Sequence, residues 1–150
     1  MRAVLQRVDQ ASVKVDYKIT GKINQGLLIL LGIETEDHQE DIDWLVRKIC
    51  NMRIFSDENS KMNCSLLDIE GEALVVSQFT LHASTKKGNR PSFTKAAAPD
   101  FAEKMYEQFI SKLQNNLSTT VQTGKFGGDM SVDLINNGPV TIIIDSKDKV

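Results

Sequence analysis

Five consecutive residues, Ser77-Gln78-Phe79-Thr80-Leu81, place a hydroxyl, an amide, an aromatic ring and a second hydroxyl at the end of an apolar run, Ala73-Leu74-Val75-Val76. The run has the composition of a buried strand, and polar groups at the end of such a strand need partners. Donors fixed at a rigid strand end are also how an enzyme holds a carbonyl or an oxyanion. In that reading backbone N–H groups, Gln78 and the two hydroxyls form a carbonyl-holding site. The plainer reading, which spacing alone favours, is a strand that turns its polar residues to water. Thr80 as a nucleophile needs a base. Of the two histidines, His38 falls at a helix start and reads as surface. His82 lies two residues beyond Thr80, a spacing that shares one face in a strand. A Thr80–His82 dyad has no third member in the sequence, and a mechanism without a protein nucleophile stands equally open.

A second stretch, Asn137-Gly138-Pro139-Val140-Thr141, reads by composition as a hairpin turn, because proline interrupts a central strand. The bond before proline is also the one place where a cis peptide is cheap, and cis geometry at Gly138-Pro139 turns carbonyls out of the strand as a rigid gauge. A third stretch, Lys86-Lys87-Gly88-Asn89-Arg90-Pro91 with Lys95 beyond it, is either a solvated loop or an edge that meets phosphates. Without aromatics among its charges, its nucleic-acid signal is weak. No histidine pair at ligand spacing, metal-binding cysteine pattern or phosphate-binding glycine loop is present, so no metal or cofactor is expected.

These stretches need a scaffold. Arg2 to Val8 and Ala11 to Val15 alternate as two strands, Asp16-Tyr17-Lys18 is a turn, and Ile19 to Ile23 is a third strand. Gly26 to Ile33 alternates little, as expected of a strand buried on both faces. Asp37 with Glu40 fits a capping box for a helix whose buried residues are Ile42, Leu45, Val46 and Ile49. Phe55 to Lys61 is a polar turn, and strands are predicted over Ser65 to Ile69 and Glu72 to Phe79. Pro99 opens a second helix, with a stripe of Phe101, Met105, Tyr106, Phe109, Ile110 and Leu113 and an end at Asn115-Asn116. Ser92 to Thr94 reads as a short strand, Gly124 to Asp129 as a flexible link, and Met130 to Ile135 and Val140 to Asp145 as a final pair. The 150 residues make one domain, 1–150. Its expected class is α+β, a largely antiparallel, barrel-like sheet with two packed helices.

A net charge of −2 advertises no polyanionic partner and excludes none, since binding depends on local patches. No apolar run reaches membrane-spanning length, and the N-terminus lacks a signal peptide's apolar centre. Cys50 and Cys64 read as reduced thiols, and the expected location is the cytoplasm.

Taken together, Ser77-Gln78-Phe79-Thr80-Leu81 and Asn137-Gly138-Pro139-Val140-Thr141 resemble the two motifs of the D-aminoacyl-tRNA deacylase family without a change. Arg2 to Val8, Ala11-Ser12-Val13, Gly26 to Gly32, Arg53-Ile54-Phe55, Arg90-Pro91-Ser92-Phe93 and Thr123-Gly124-Lys125-Phe126 extend the resemblance over nearly the whole chain. Gly128 departs from it, standing where many relatives carry alanine. The resemblance implies hydrolysis of the ester between a D-amino acid and the 3′ end of tRNA, and of glycyl-tRNA as well. It implies catalysis at Ser77, Gln78, Phe79 and Thr80. It further implies a homodimer in which a cis Gly138-Pro139 enters the partner's site and excludes L-amino acids. Ala102 and Phe126 are similar to positions lining a terminal-adenosine pocket, although Ala102 equally fits helix packing, and Lys86, Lys87 and Arg90 then contact tRNA phosphates. Arg7 either orients the Gly-Pro element or makes a surface ion pair. The alternative from another class is a non-catalytic RNA 3′-end-binding module.

Overall fold

The computed structural model describes residues 1–150. The chain runs β1 (Arg2–Val15), β2 (Lys18–Ile23), β3 (Gly26–Gly32), α1 (Gln39–Asn51), β4 (Phe55–Ser56), β5 (Met62–Cys64) and β6 (Glu72–Ser77). A 3-10 turn (Phe79–His82), α2 (Pro99–Gln114), β7 (Gln122–Thr123) and β8 (Ser131–Asp145) complete it. No helix is long and apolar enough to cross a membrane.

β1 organises the sheet. Its first half pairs antiparallel with β3, its second half with β2, and β8 runs antiparallel along its other edge. β3, β6 and β7 are parallel to one another, and β7 returns against β2 to make the sheet a nearly closed barrel. The sheet is therefore mixed, and its parallel part holds the strands that precede the site.

Side-chain alternation on these strands builds two cores. Ala3 and Leu5 of β1, Leu27, Ile29 and Leu31 of β3, and Ala73 and Val75 of β6 face α1 and α2. Val8, Ala11 and Val13 of β1 join Ile23, Leu28, Leu74 and Val76 inside the barrel. β3 and β6 thus bury both faces, which explains their unbroken apolar runs. α1 and α2 pack against each other, and Lys112 pairs with Asp43 across them at 3.1 Å.

Several expectations are corrected. The two N-terminal strands are one strand, β1, and Met130–Ile135 and Val140–Asp145 belong to one strand, β8, with no reversal at Asn136–Pro139. The reason is visible in the register. Gln6 pairs with Thr141 and Val8 with Asn136, so four residues of β8 bulge opposite the single residue Arg7. β8 is an edge strand, where proline's missing N–H breaks no second ladder. Ser65–Ile69 is a turn, not a strand, because the Asp68 carboxylate accepts the Ser65 N–H and hydroxyl, both at 2.8 Å, in place of ladder bonds. Ser92–Thr94 is not a strand either. Only one bridge, Ser84 with Ser92, forms there. The cap of α1 is His38, one residue later than expected. Asp41 accepts the His38 N–H at 2.8 Å, while Asp37 turns inward and accepts from the Met1 amine and the Glu34 N–H. Along α2 the buried stripe is Ala102, Met105, Tyr106, Phe109 and Leu113, with Phe101 exposed at its edge in the first turn.

Candidate active site

At the C-terminal ends of parallel β3 and β6 the sheet opens into a cleft of about 690 Å³. Ser77, Gln78 and Phe79 form one wall and Ala102, at the start of α2, another. Phe126, Gly127 and Gly128, from the link between β7 and β8, form a third. Residues far apart in sequence are therefore collected by the strand ends, the usual location of a ligand crevice in a parallel sheet.

The wall at Ser77–Leu81 has a rigid footing. The Gln78 N–H donates to Leu31 O at 2.8 Å, which extends the β3–β6 pairing one residue past the strand. The backbone then tightens into the 3-10 turn, whose first bond is Leu81 N–H to Gln78 O at 3.2 Å. The N–H groups of Phe79 and Thr80 precede that bond and find no acceptor within the turn. At the far end Arg2 donates to Leu81 O at 2.7 Å while its guanidinium pairs with Asp145 at 2.9 Å. Gly32 packs beneath the turn. A Cβ there would lie 3.0 Å from Gln78 O and 3.1 Å from the His82 ring, so a side chain at this position would push the turn outward by a few tenths of an ångström. Behind the cleft, the Tyr106 hydroxyl donates to Val75 O at 2.9 Å, and its ring meets that of Phe126 at 5.5 Å. Burial pushes the Tyr106 pKa upward, so the hydroxyl stays protonated and fixed as a donor.

The turn overturns the strand geometry expected for Thr80 and His82. Thr80 is exposed, and its hydroxyl accepts from Gln78 Nε2 at 2.5 Å. His82 is buried, with Nδ1 4.0 Å from a Glu34 carboxylate oxygen and Nε2 without a partner. No hydrogen bond joins the two, and a 3-10 turn does not put residues i and i+2 on one face. His38 is exposed at the cap of α1, as its position suggested.

Asn137, Gly138 and Pro139 lie outside this cleft, exposed on the bulge of β8. The Gly138–Pro139 peptide bond is cis, and Gly138 has φ +126, open only to glycine. Arg7 pins the bulge. Its Nε donates to Asn137 O at 3.0 Å, one terminal nitrogen to Asn137 Oδ1 at 3.1 Å, and the other to Ile54 O at 2.7 Å. Asn137 donates in turn to Asp9 at 2.7 Å, and the Val140 N–H to Asn136 Oδ1 at 3.0 Å. Arg7 makes no ion pair, so the surface salt bridge is replaced by bonds to carbonyls.

Lys86, Lys87 and Arg90 are exposed on the loop after the turn, outside the cleft lining and without acidic partners. Sequence reasoning missed Phe93, Met130 and Val132, which also line the cleft. Phe93 sat in the Arg90-Pro91-Ser92-Phe93 stretch, the one signal that pointed to it. Met130 and Val132 carried none, since a strand's alternation does not say which neighbour it faces. No three His, Cys, Asp or Glu side chains converge on a common point. Burial pushes the Cys50 thiol up to about 11, which keeps it inert.

Residues 4–145 match the family described as D-Tyr-tRNA(Tyr) deacylase. A protein of Christiangramia forsetii named D-aminoacyl-tRNA deacylase is 66% identical over 149 residues, covering 99% of each chain. One of the same name from Flavobacterium johnsoniae is 60% identical, again over 99% of each. Among solved structures, one named "c-Myc DNA Unwinding Element Binding Protein" superposes with a TM-score of 0.92 at 42% identity, over 97% of this chain and 98% of its own. A "probable eukaryotic D-amino acid tRNA deacylase" shares the fold, with a TM-score of 0.82 at 18% identity over 95% and 97%. The chain belongs to the D-Tyr-tRNA(Tyr) deacylase family.

Proposed function

We propose that this member of the deacylase family hydrolyses the ester between a D-amino acid and the 3′ end of tRNA, releasing the free amino acid and the tRNA. The observation that carries the reading is the cleft, which brings the unengaged N–H of Phe79 beside a pocket walled by Ala102 and Phe126, with the unengaged N–H of Thr80 next in the turn though Thr80 itself is outside the lining. With the terminal adenosine between Ala102 and Phe126, the ester carbonyl reaches the turn. Water adds to the carbonyl carbon, and the oxyanion accepts hydrogen bonds from Phe79 and Thr80 N–H. The intermediate then collapses, the 3′-oxygen leaves with the pair of electrons of the broken ester bond, and it takes up a proton. An aminoacyl ester is already activated, so carbonyl polarisation with help from the ribose 2′-OH suffices. Ser77 and Gln78 brace the turn. The exposed Thr80 hydroxyl, bonded to Gln78 and not to His82, supports this route over a covalent Thr80 intermediate.

Selectivity follows from the second motif. In a homodimer, Gly138-Pro139 of one subunit enters the cleft of the other, reads the amino group with its carbonyls and leaves no room for an L side chain. The position of the bulge outside its own subunit's cleft supports this reading. Glycine has no side chain to exclude, so glycyl-tRNA is also a substrate. Chirality read through main-chain atoms makes side-chain preference weak, and D-Tyr-, D-Asp- and D-Phe-tRNA turn over alike. Lys86, Lys87 and Arg90 meet phosphates and steer the acceptor end without reading sequence.

The test is release of tyrosine from D-Tyr-tRNA and L-Tyr-tRNA, with EDTA present, by the native protein and Thr80→Ala. Release of only the D-amino acid by both proteins is expected. Loss confined to Thr80→Ala restores a hydroxyl nucleophile. No turnover by the native protein removes the enzymatic reading and leaves an RNA 3′-end-binding module.

A further inference from the structure

Phe79 does more than supply a backbone N–H. The residue is 59% exposed at the cleft wall, and its ring meets the Phe93 ring edge to face, with centroids 5.1 Å apart and planes at 74°. Both residues line the cleft, and an edge-to-face pair leaves a ring face open beside it. Phe93 is held in place from the backbone. Ser84 and Ser92 exchange N–H···O bonds of 2.7 and 3.0 Å, which close the loop that carries Lys86, Lys87 and Arg90 and deliver Phe93 directly after it. No acidic residue occurs between Leu81 and Pro99, and none of Lys86, Lys87, Arg90 and Lys95 enters an ion pair.

An aromatic pair at a cleft, Phe79 exposed and Phe93 half-buried, with unpaired cations on the adjoining loop is the chemistry of a single-stranded nucleic-acid site. The rings take a base and the cations take the phosphates on either side of it. The geometry points to a second nucleotide subsite. We propose that Phe79 and Phe93 stack the penultimate base of the acceptor end, the cytosine next to the terminal adenosine. This rests on the reading above, in which that adenosine occupies the pocket at Ala102 and Phe126. The cleft of about 690 Å³ accommodates one aminoacylated nucleoside, so the next base lies at its mouth.

The test compares D-Tyr esterified to a CCA trinucleotide with D-Tyr esterified to adenosine. The native protein is expected to favour the trinucleotide in kcat/KM, mainly through KM, by about tenfold, the usual worth of one stacked base. Phe93→Leu, which keeps the apolar bulk, reduces that ratio to near one, and Phe93→Trp restores it. An unchanged ratio in Phe93→Leu, or an equal loss on both substrates, overturns the proposal. The same comparison is made by titrating the unacylated CCA trinucleotide and adenosine, which needs no turnover. A protein that hydrolyses neither ester but still favours the trinucleotide through Phe93 overturns the deacylase reading and keeps this one.

Discussion

The turn at Phe79–His82 and the bulge at Asn137–Val140 are both places where a strand's apolar pattern gives way to polar residues and backbone departs from the ladder. They are built in opposite ways. The turn stands on β6, buried on both faces and flanked by parallel neighbours. It is fixed from β3 by Leu31 O and from β1 by Arg2. The bulge stands on an edge strand and is held almost wholly by side chains, Arg7 and two asparagines. Backbone ladders and packing tolerate the loss of a single contact, whereas a side-chain clamp depends on each member. The turn is therefore a self-contained piece of one chain's core, and the bulge a presented surface.

The largest expected effect tests the turn through its backbone. Phe79→Pro removes an N–H that the proposed mechanism uses, at a position where proline's φ fits a first helical residue. It should lower kcat on D-Tyr-tRNA by about 100-fold or more, whereas Phe79→Leu keeps the N–H and should retain most of the rate at saturating substrate. Equal losses in the two variants would place the weight on the ring and blur the distinction between a backbone site and a side-chain one. Next comes the bulge. Arg7→Met leaves Asn137 O and Ile54 O without their charged donor. It should lower the preference for D-Tyr-tRNA over L-Tyr-tRNA by about tenfold and the unfolding free energy by about 2 kcal/mol. A rate loss that spares the preference would show that the clamp serves the fold rather than selectivity.

Smaller effects separate the two regions through stability. Tyr106→Phe removes one of the two donors to the Val75 carbonyl, leaving the Gly124 N–H at 3.2 Å, and should lower unfolding free energy by about 1 kcal/mol, read from urea midpoints with an unchanged slope. Acid should act outside both regions, at the start of α1. Burial opposes ionisation of Asp41, but hydrogen bonds from Ser146, Lys147 and His38 outweigh it and bring its pKa down to about 2 from 3.8. The folded-state value lies below the unfolded one, so this stabilisation is complete above pH 4 and fades as pH falls toward 2. Asp41→Asn should flatten the acid limb of a stability profile while changing activity least at neutral pH.

The sequence made the scaffold of the turn legible and its last step illegible. The unbroken apolar runs of β3 and β6 announced strands buried on both faces, and Ser77 to Leu81 announced polar groups at a strand end. Nothing local told Phe79–His82 to coil rather than extend, because its geometry is imposed by Arg2 and by the contact with Gly32, both distant in sequence. The bulge shows the converse. Its residues were singled out, yet the hairpin reading was wrong, since proline breaks an interior strand and only the tertiary structure shows that β8 lies at an edge. The cleft's third wall was half legible. Phe126 came from family resemblance, while Met130 and Val132 were invisible because their partner strand is set by barrel closure.

β1 has one further consequence, which concerns the order in which the chain is made. Arg2 bonds Asp145 across a separation of 143 positions, and β8 covers one entire edge of β1. During translation β1, β2 and β3 can pair as soon as they emerge, but that edge stays bare until Ser131–Asp145 has been synthesised. A long, partly apolar strand with an uncovered edge invites pairing with other nascent chains. Aggregation on the ribosome, more than equilibrium stability, should therefore limit yield for variants that slow the docking of β8.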